Sequence, residues 1–193
     1  MISSKDYFES EVRSMIHRDG IEALMDYINT TDFFEAPASS RFHGNHEGGL
    51  VEHSIKVYQW MFDIYKGLTA AKADIPKMSI ESMSIVSLFH DVCKIETYKI
   101  DYRNVKDPDT GVWNRCPYYK QEDESGFGAH GAKSVFILNQ FIKLTEEETV
   151  AILHHMGAWD KSTYSDPGRA YEKYRLAWLL HVADEAATYI SKT

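Results

Sequence analysis

Residues 88–94 read Leu88-Phe89-His90-Asp91-Val92-Cys93-Lys94, so a histidine and an aspartate stand directly after an apolar run. The run begins near residue 79 and is apolar on nearly every side of a helix, which predicts a central helix over about 79–93. His90 shares a helical face with Met83 and Val86, and Asp91 follows it at once. A carboxylate at the end of a buried helix costs free energy unless its charge is compensated.

Two further predicted helices carry polar side chains on their inward faces. His53 falls on an apolar stripe of one helix, and Asp184 falls on the corresponding stripe of the last helix. An inward histidine is usually a hydrogen-bonded core residue, and an inward aspartate is usually a cap or a salt-bridge partner. Here His53, His90, Asp91 and Asp184 come from three helices with few basic residues nearby. Such converging imidazoles and carboxylates are typical ligands of Fe, Mn, Zn, Ni or Co.

The rest of the chain is predicted to consist of helices and one β-hairpin. Residues 5–28 have helical periodicity with an interruption near Asp19-Gly20. Residues 97–120 predict a β-hairpin around a turn at 107–111. Other helices are expected over 49–68, 79–93, 130–142, 146–156 and 170–191. We therefore predict an all-α fold with one domain over 1–193, in which five to seven helices form a bundle with one inserted hairpin.

The composition limits the classes of protein and of metal site that the chain can form. It has 193 residues, a net charge of −8 and nine histidines. This acidic balance disfavours a protein that coats nucleic acid, which needs a basic surface. The cysteines, Cys93 and Cys116, are too few for a cysteine-based zinc site, so any metal is held by histidine and carboxylate. We find neither a signal peptide nor an apolar run near the ~18 residues of a membrane span, and expect a cytoplasmic protein that binds no membrane.

Three ordered segments resemble the HD-domain superfamily of metal-dependent phosphohydrolases. Residues 48–53 (GGLVEH), 88–94 (LFHDVCK) and 180–184 (LHVAD) are similar to its GGLxEH, LxHDxxK and LHxAD motifs. The resemblance covers about 43–190 and implies an HD-type helical core over that range. It also implies that the metal ligands are His53, His90, Asp91 and Asp184.

The resemblance further implies candidates for a second metal. Superfamily members with two metals have additional histidine ligands between the HD pair and the last aspartate, and the HD aspartate bridges the two ions. Here His130 and either His154 or His155 stand in the corresponding positions. Adjacent helical residues point about 100° apart, so only one of the pair should meet a given metal, and we favour His155. We therefore expect two divalent transition metals per chain.

Catalytic roles follow for Asp91 and Lys94 from the same resemblance. A metal in such a site polarises a phosphoryl oxygen and lowers the pKa of a bound water toward ~7. Asp91 would orient that nucleophile, and Lys94 would neutralise a phosphate oxygen. The alternative for Lys94 is a solvated side chain that interacts favourably with the dipole at a helix end.

Candidates for substrate binding lie in the loop before residue 49, on the hairpin and after the histidine pair. They are Arg41, His43, His46, Lys94, Arg103, Arg115 and Trp159. Arg41 can form a bidentate contact with phosphate, whereas His43 and His46 either contact substrate or cap the helix. The arginines of the hairpin lie among aromatic residues, which suits a phosphate with a base to stack on. The same pattern suits an ordinary two-stranded ribbon packed on a helix.

Together these observations favour a phosphohydrolase that acts on a nucleotide or a related small phosphate ester. A di-iron HD-type oxygenase is an alternative, because the same ligands can activate dioxygen. A non-catalytic nucleotide-binding module is another, although loss of ligands would be its usual sign. Single-stranded nucleic acid is a less favoured substrate than a small nucleotide because the net charge is −8.

Overall fold

The computed structural model describes residues 2–41, 43–122, 126–127, 130–159 and 167–191. Within these ranges the chain forms eight α-helices and one antiparallel β-hairpin. The helices are α1 (Ser4–Met15), α2 (Ile21–Asn29), α3 (Gly49–Ala70), α4 (Ile80–Phe89), α5 (His130–Leu138), α6 (Glu146–Leu153), α7 (Pro167–Lys173) and α8 (Arg175–Tyr189). The strands are β1 (Tyr98–Lys106) and β2 (Trp113–Gln121). The expected mostly helical fold with an inserted hairpin is confirmed.

Helix α4 lies at the centre of the bundle, between α3, α6 and α8. Every residue from position 83 to position 89 is buried, as the apolar sequence predicts. The hydroxyl groups of its two buried serines are hydrogen-bonded to the backbone of the same helix. Ser84 donates to the carbonyl oxygen of Ile80, and Ser87 donates to that of Met83. The central helix therefore buries polar atoms without leaving these hydroxyls unpaired.

Helix α4 ends at Phe89, four residues before the predicted end at 93. Asp91 has φ −106° and ψ 18°, outside the helical region, and a 3-10 turn at Val92–Lys94 follows. The backbone N–H of Lys94 donates to the carbonyl oxygen of Asp91. This tighter turn replaces the last helical turn, so the side chains of His90 and Asp91 lie at the end of a buried helix rather than within it.

The helix count differs from the expected five to seven because two predicted helices are each divided. The segment 5–28 forms α1 and α2, which are separated at Gly20, where φ is +89°. A β-carbon at Gly20 would overlap the carbonyl oxygen of Phe141, so the close approach requires glycine. At the other end, extended backbone at Tyr174 separates α7 from α8 within the helix predicted over 170–191.

The hairpin has a regular register from the Tyr98–Gln121 pair to the Lys106–Trp113 pair. In its turn, the Asp107 carboxylate accepts from the backbone N–H groups of Asp109 and Thr110. Gly111 supplies the positive φ of +73° that such a turn requires. The hairpin is mostly exposed and begins four residues after Lys94, so it emerges beside the end of α4.

No helix among the described residues combines the length and the apolar character needed to cross a bilayer.

Candidate metal centre

Four buried side chains and the largely buried side chain of Asp184, which is 13% exposed, meet where the central helices end. His53 comes from α3, His90 and Asp91 follow α4, His155 follows α6, and Asp184 lies on α8. Nε2 of His53 lies 3.0 Å from Oδ1 of Asp184 and 3.9 Å from Oδ2 of Asp91. Nε2 of His90 lies 3.5 Å from Oδ2 of Asp91, and Nε2 of His155 lies 3.5 Å from its Oδ1. We call these five residues the His/Asp cluster.

Within the His/Asp cluster, two sets of potential ligand atoms are close enough to hold a metal ion. One set comes from His53, His90 and Asp91, and the other comes from His90, His155 and Asp184. In each set the ligand atoms lie within 4.8 Å of one another. The fold therefore brings together residues from four separate parts of the chain as a group that can bind metal.

Hydrogen bonds to the backbone fix the orientation of two of the imidazoles. Nδ1 of His90 lies 2.9 Å from the carbonyl oxygen of Ser87, and Nδ1 of His155 lies 2.7 Å from that of Ile152. A carbonyl oxygen only accepts, so Nδ1 is the donor in both rings. In the neutral imidazole this leaves an unprotonated Nε2, whose lone pair points into the cluster as a metal ligand requires.

Several atoms at the centre of the cluster lack a hydrogen-bond partner among the described residues. They are Nε2 of His90, Nε2 of His155 and Oδ1 of Asp91. A buried polar atom without a partner costs about 1–3 kcal/mol, and more if it is charged. The Nε2 lone pairs and the carboxylate oxygens face one another, and they repel unless a cation lies between them. The donor set of imidazole nitrogen and carboxylate oxygen therefore fits a divalent transition metal.

The pKa values of His90, Asp91 and Asp184 favour the protonation states that bind metal, whereas burial of His155 is outweighed by its contacts with Asp91 and Asp184, which together raise its pKa. Burial lowers the pKa of His90 to about 4, so this imidazole is neutral at pH 7. Burial opposes the charge of Asp91, but the Lys94 ammonium and the imidazoles of His90 and His155 together outweigh it and hold the pKa of Asp91 well below its usual range. For Asp184, burial opposes ionisation, but the hydrogen bond from His53 and the attraction of the neighbouring imidazoles together outweigh burial and lower its pKa. Both carboxylates are therefore ionised.

Lys94 is buried rather than solvated, which excludes the alternative of a free lysine at a helix end. Its Nζ lies 2.6 Å from Oδ2 of Asp91, and the residue is only 9% exposed. Burial opposes the charge of Lys94, but the Asp91 carboxylate prevails and raises the pKa of Lys94. The ammonium therefore stays charged, and the Lys94 side chain lines a cavity beside the His/Asp cluster.

A cavity of about 520 Å³ opens directly on the cluster. Of the substrate-binding candidates, it contains His43, Lys94 and Trp159. The His43 ring lies 4.7 Å from that of His53, and burial lowers the pKa of His43 to about 4. Its lining also includes four residues that the sequence motifs did not indicate, namely Met156, Glu185, Thr188 and Tyr189. Thr188 lies one helical turn after Asp184 on the same face of α8, which was the available signal.

Other candidates lie outside the His/Asp cluster. Neither set of clustered ligand atoms in the described chain includes His130 or His154. Nδ1 of His130 lies 3.8 Å from Sγ of Cys93, and His154 caps the end of α6 through its backbone. His155 enters the cluster and His154 does not, because α6 ends at Leu153 and the turn after that residue directs His155 inward.

The remaining substrate candidates lie away from the cluster cavity. His46 is exposed and lies 3.0 Å from the Glu52 carboxylate. Arg115 is exposed on the hairpin, where its guanidinium stacks on Tyr102 at 4.6 Å. Arg41 and Arg103 line a second cleft between the hairpin and the loop that precedes α3. The structure therefore divides the predicted substrate residues between two separate cavities.

His155 and His154 offer a matched test of the metal centre. We expect His155→Gln to weaken Mn²⁺ binding at least about 100-fold, because loss of a group that merely orients a ligand already costs roughly 10–100-fold. His154→Gln should change the affinity less than twofold, because its side chain lies outside the cluster. Competition with a fluorescent metal indicator measures both constants. Equal losses in the two variants would contradict this assignment of the ligand.

Comparisons with known proteins do not extend the assignment. No model of a known protein family, no curated protein and no solved structure matches the chain. What the structure establishes is a helical protein with a buried His/Asp cluster that can bind metal.

Proposed function

We propose that the protein is a metal-dependent phosphohydrolase of the HD type, and that it hydrolyses a phosphate ester of a nucleotide or a related small molecule. One observation carries the proposal: the unpartnered lone pairs of His90 and His155 and two ionised carboxylates meet at the base of a cavity that also contains a buried ammonium. The three HD-like sequence segments supply His53, His90, Asp91, Lys94 and Asp184 to this one place. The proposal therefore depends on both the site and the resemblance.

A divalent cation held by the His/Asp cluster would polarise a phosphoryl oxygen and lower the pKa of a water molecule. The chain's own residues position the ester beside the cluster. The ammonium of Lys94 and the partly buried ring of His43 line the same cavity, and Lys94 is the one lysine or arginine among the described residues that line it. Lys94 thus attracts the phosphate, and a neutral His43 can donate a hydrogen bond to an ester oxygen.

Asp91 has two oxygens with different neighbours, which supports a role in orienting the nucleophile. Oδ2 is bound by Lys94 at 2.6 Å, while Oδ1 has no hydrogen-bond partner among the described residues. The contact with Lys94 fixes the carboxylate and leaves Oδ1 free to accept from a water molecule. Because the pKa of Asp91 is held well below its usual range, Asp91 orients this water and does not retain its proton.

We propose two metal ions per chain, of the group Fe, Mn, Co, Ni and Zn. Asp91 supports this number because Oδ2 faces His53 and His90, whereas Oδ1 faces His155. A carboxylate in this position can bridge two ions. The cluster also offers five ligand residues, one more than a four-coordinate site takes from the protein.

Metal analysis combined with a substrate panel tests the proposed function. The purified protein is assayed for metal content and for phosphate release from nucleoside mono-, di- and triphosphates and from a phosphodiester, with added Mn²⁺, Co²⁺ or Ni²⁺. We expect about two metals per chain and release that stops on chelation and returns with metal. Metal-replete protein that releases no phosphate from any ester would contradict the proposal. Oxygen consumption with some substrate would then favour the oxygenase alternative.

A further inference from the structure

A second cleft, of about 630 Å³, lies between the hairpin and the loop before α3. From the loop it is lined by Ser40, Arg41 and Asn45, and from the hairpin by Arg103 together with apolar and aromatic side chains. We call it the hairpin cleft. Its lining residues are all described, and they include two guanidinium groups but no carboxylate. It is thus a cationic cleft on a protein whose net charge is −8.

The two arginines of the hairpin cleft are available for an anion. Neither guanidinium forms an ion pair with a carboxylate in the described part of the chain. Arg103 is held against the partner strand, because its guanidinium lies 5.2 Å from the centre of the Tyr118 ring on β2. The nearby Asp101 carboxylate accepts from the Tyr118 hydroxyl and does not line the cleft. Two arginine forks without a carboxylate match the geometry of a phosphate group.

The apolar wall of the hairpin cleft indicates what accompanies that phosphate. Ile100, Pro117, Tyr118 and Tyr119 come from the paired middle parts of β1 and β2. Ile100 is 63% exposed and the rings of Tyr118 and Tyr119 are partly exposed, so the wall offers apolar and ring surface that the protein covers only in part. Flat bases stack on such faces in a way that tolerates different sequences. A phosphate joined to a flat ring is a nucleotide unit.

We infer that the hairpin cleft binds a nucleotide unit through its phosphate group. The loop that carries Arg41 also carries His43, which lines the cluster cavity two residues later. Two residues span at most about 7 Å, so one short loop separates the two cavities. The Ser39 hydroxyl donates to the carbonyl oxygen of His43 at 2.9 Å and fixes this loop. The next step rests on the proposed function. The substrate is then a compound of two linked nucleotide units, one at the cluster and the other in the hairpin cleft.

Calorimetric titration tests the inference without requiring turnover. The probes are a 5′-phosphorylated diadenylate with a phosphorothioate linkage, which resists hydrolysis, and AMP. We expect Arg41→Gln and Arg103→Gln each to weaken binding of the diadenylate about tenfold or more, as loss of a charge-assisted hydrogen bond does. Lys106→Gln is the matched control, because it removes one charge from the same hairpin outside the cleft. This control should alter the affinity less than twofold.

The two probes distinguish the source of the nucleotide unit. If the cleft variants weaken the diadenylate but not AMP, the unit belongs to a linked substrate. If two AMP molecules bind per chain and the cleft variants remove one of them, the cleft binds a separate nucleotide. Unchanged affinity of both variants for both probes would overturn the inference. A cleft that binds diadenylate in protein that releases no phosphate would leave the inference intact and contradict the proposed function alone.

Discussion

Asp91→Asn is expected to lower phosphate release at least about 10³-fold, equivalent to roughly 4 kcal/mol of activation free energy. Asp91 is the one residue whose two oxygens face both sides of the His/Asp cluster. Asparagine keeps the shape and one acceptor oxygen for Lys94, but it removes the negative charge and one of the two ligand oxygens. The loss should therefore fall on metal binding and catalysis, together with a separate cost in stability because the buried Lys94 ammonium loses its carboxylate partner.

Metal content, kcat/KM for phosphate release and thermal unfolding measure these effects separately. Asp26→Asn on α2 serves as the control, because Asp26 is exposed and lies outside the cluster cavity. Its activity should match that of the wild type. Asp91→Asn protein that is folded and retains activity within tenfold of the wild type would contradict the role given to Asp91.

Helical periodicity was sufficient to place His53 and Asp184, because both lie well inside regular helices. In α3 and α8 the 3.6-residue repeat fixes which side chains face the core, so one sequence identifies an inward polar residue. The hairpin was equally accessible, because Asp107 and Gly111 have the turn chemistry that hairpins require. These features depend on neighbours in sequence, and a single sequence records such neighbours directly.

Residues that follow a helix end could not be placed in this way. His90 still has helical dihedral angles and keeps its predicted face, whereas Asp91 lies past the end of α4 and His155 lies past Leu153, so turns set the directions of these two side chains. The ion pair between Lys94 and Asp91 depends on the 3-10 turn between them, which the continuous helix predicted to 93 does not contain. The division of the arginines between two cavities depends on how the hairpin packs, which is a contact between distant segments.

Arg18→Met is expected to lower the free energy of unfolding by about 3–5 kcal/mol, the cost of removing one partner of a buried ion pair. Both guanidinium nitrogens of Arg18 bind the Glu148 carboxylate at 2.9 Å. Arg18 also donates to the carbonyl oxygen of Lys143 and to the Glu81 carboxylate. The residue thus joins the segment between α1 and α2 to α4 and α6. Glu148 itself is fully buried, so its charge has no access to water in the variant.

The double variant Arg18→Met/Glu148→Gln separates the buried charge from the packing. Glutamine is neutral and can still accept from the backbone N–H of Thr145, which bonds Glu148 at 2.8 Å in the capping box at the start of α6. The double variant should therefore recover a large part of the stability that Arg18→Met loses. A double variant as unstable as the single one would show that the lost stability comes from packing and not from the unpaired carboxylate.

The pH dependence of stability should differ in sign between the two proteins. In the wild type, burial opposes ionisation of Glu148, but its hydrogen bonds from Arg18, Thr145 and Ser82 together outweigh burial and lower the pKa of Glu148. The pair's contribution is therefore complete above the ordinary glutamate pKa of about 4.3 and is lost as pH falls through the lowered folded value. In Arg18→Met the hydrogen bond from the Thr145 N–H remains but no longer balances burial, so we expect the pKa of Glu148 to rise above its ordinary value and ionisation of Glu148 to destabilise the variant as pH rises. Urea unfolding from pH 4 to pH 8 should show a gap between the proteins that widens with pH, and a constant gap would contradict the ion-pair explanation.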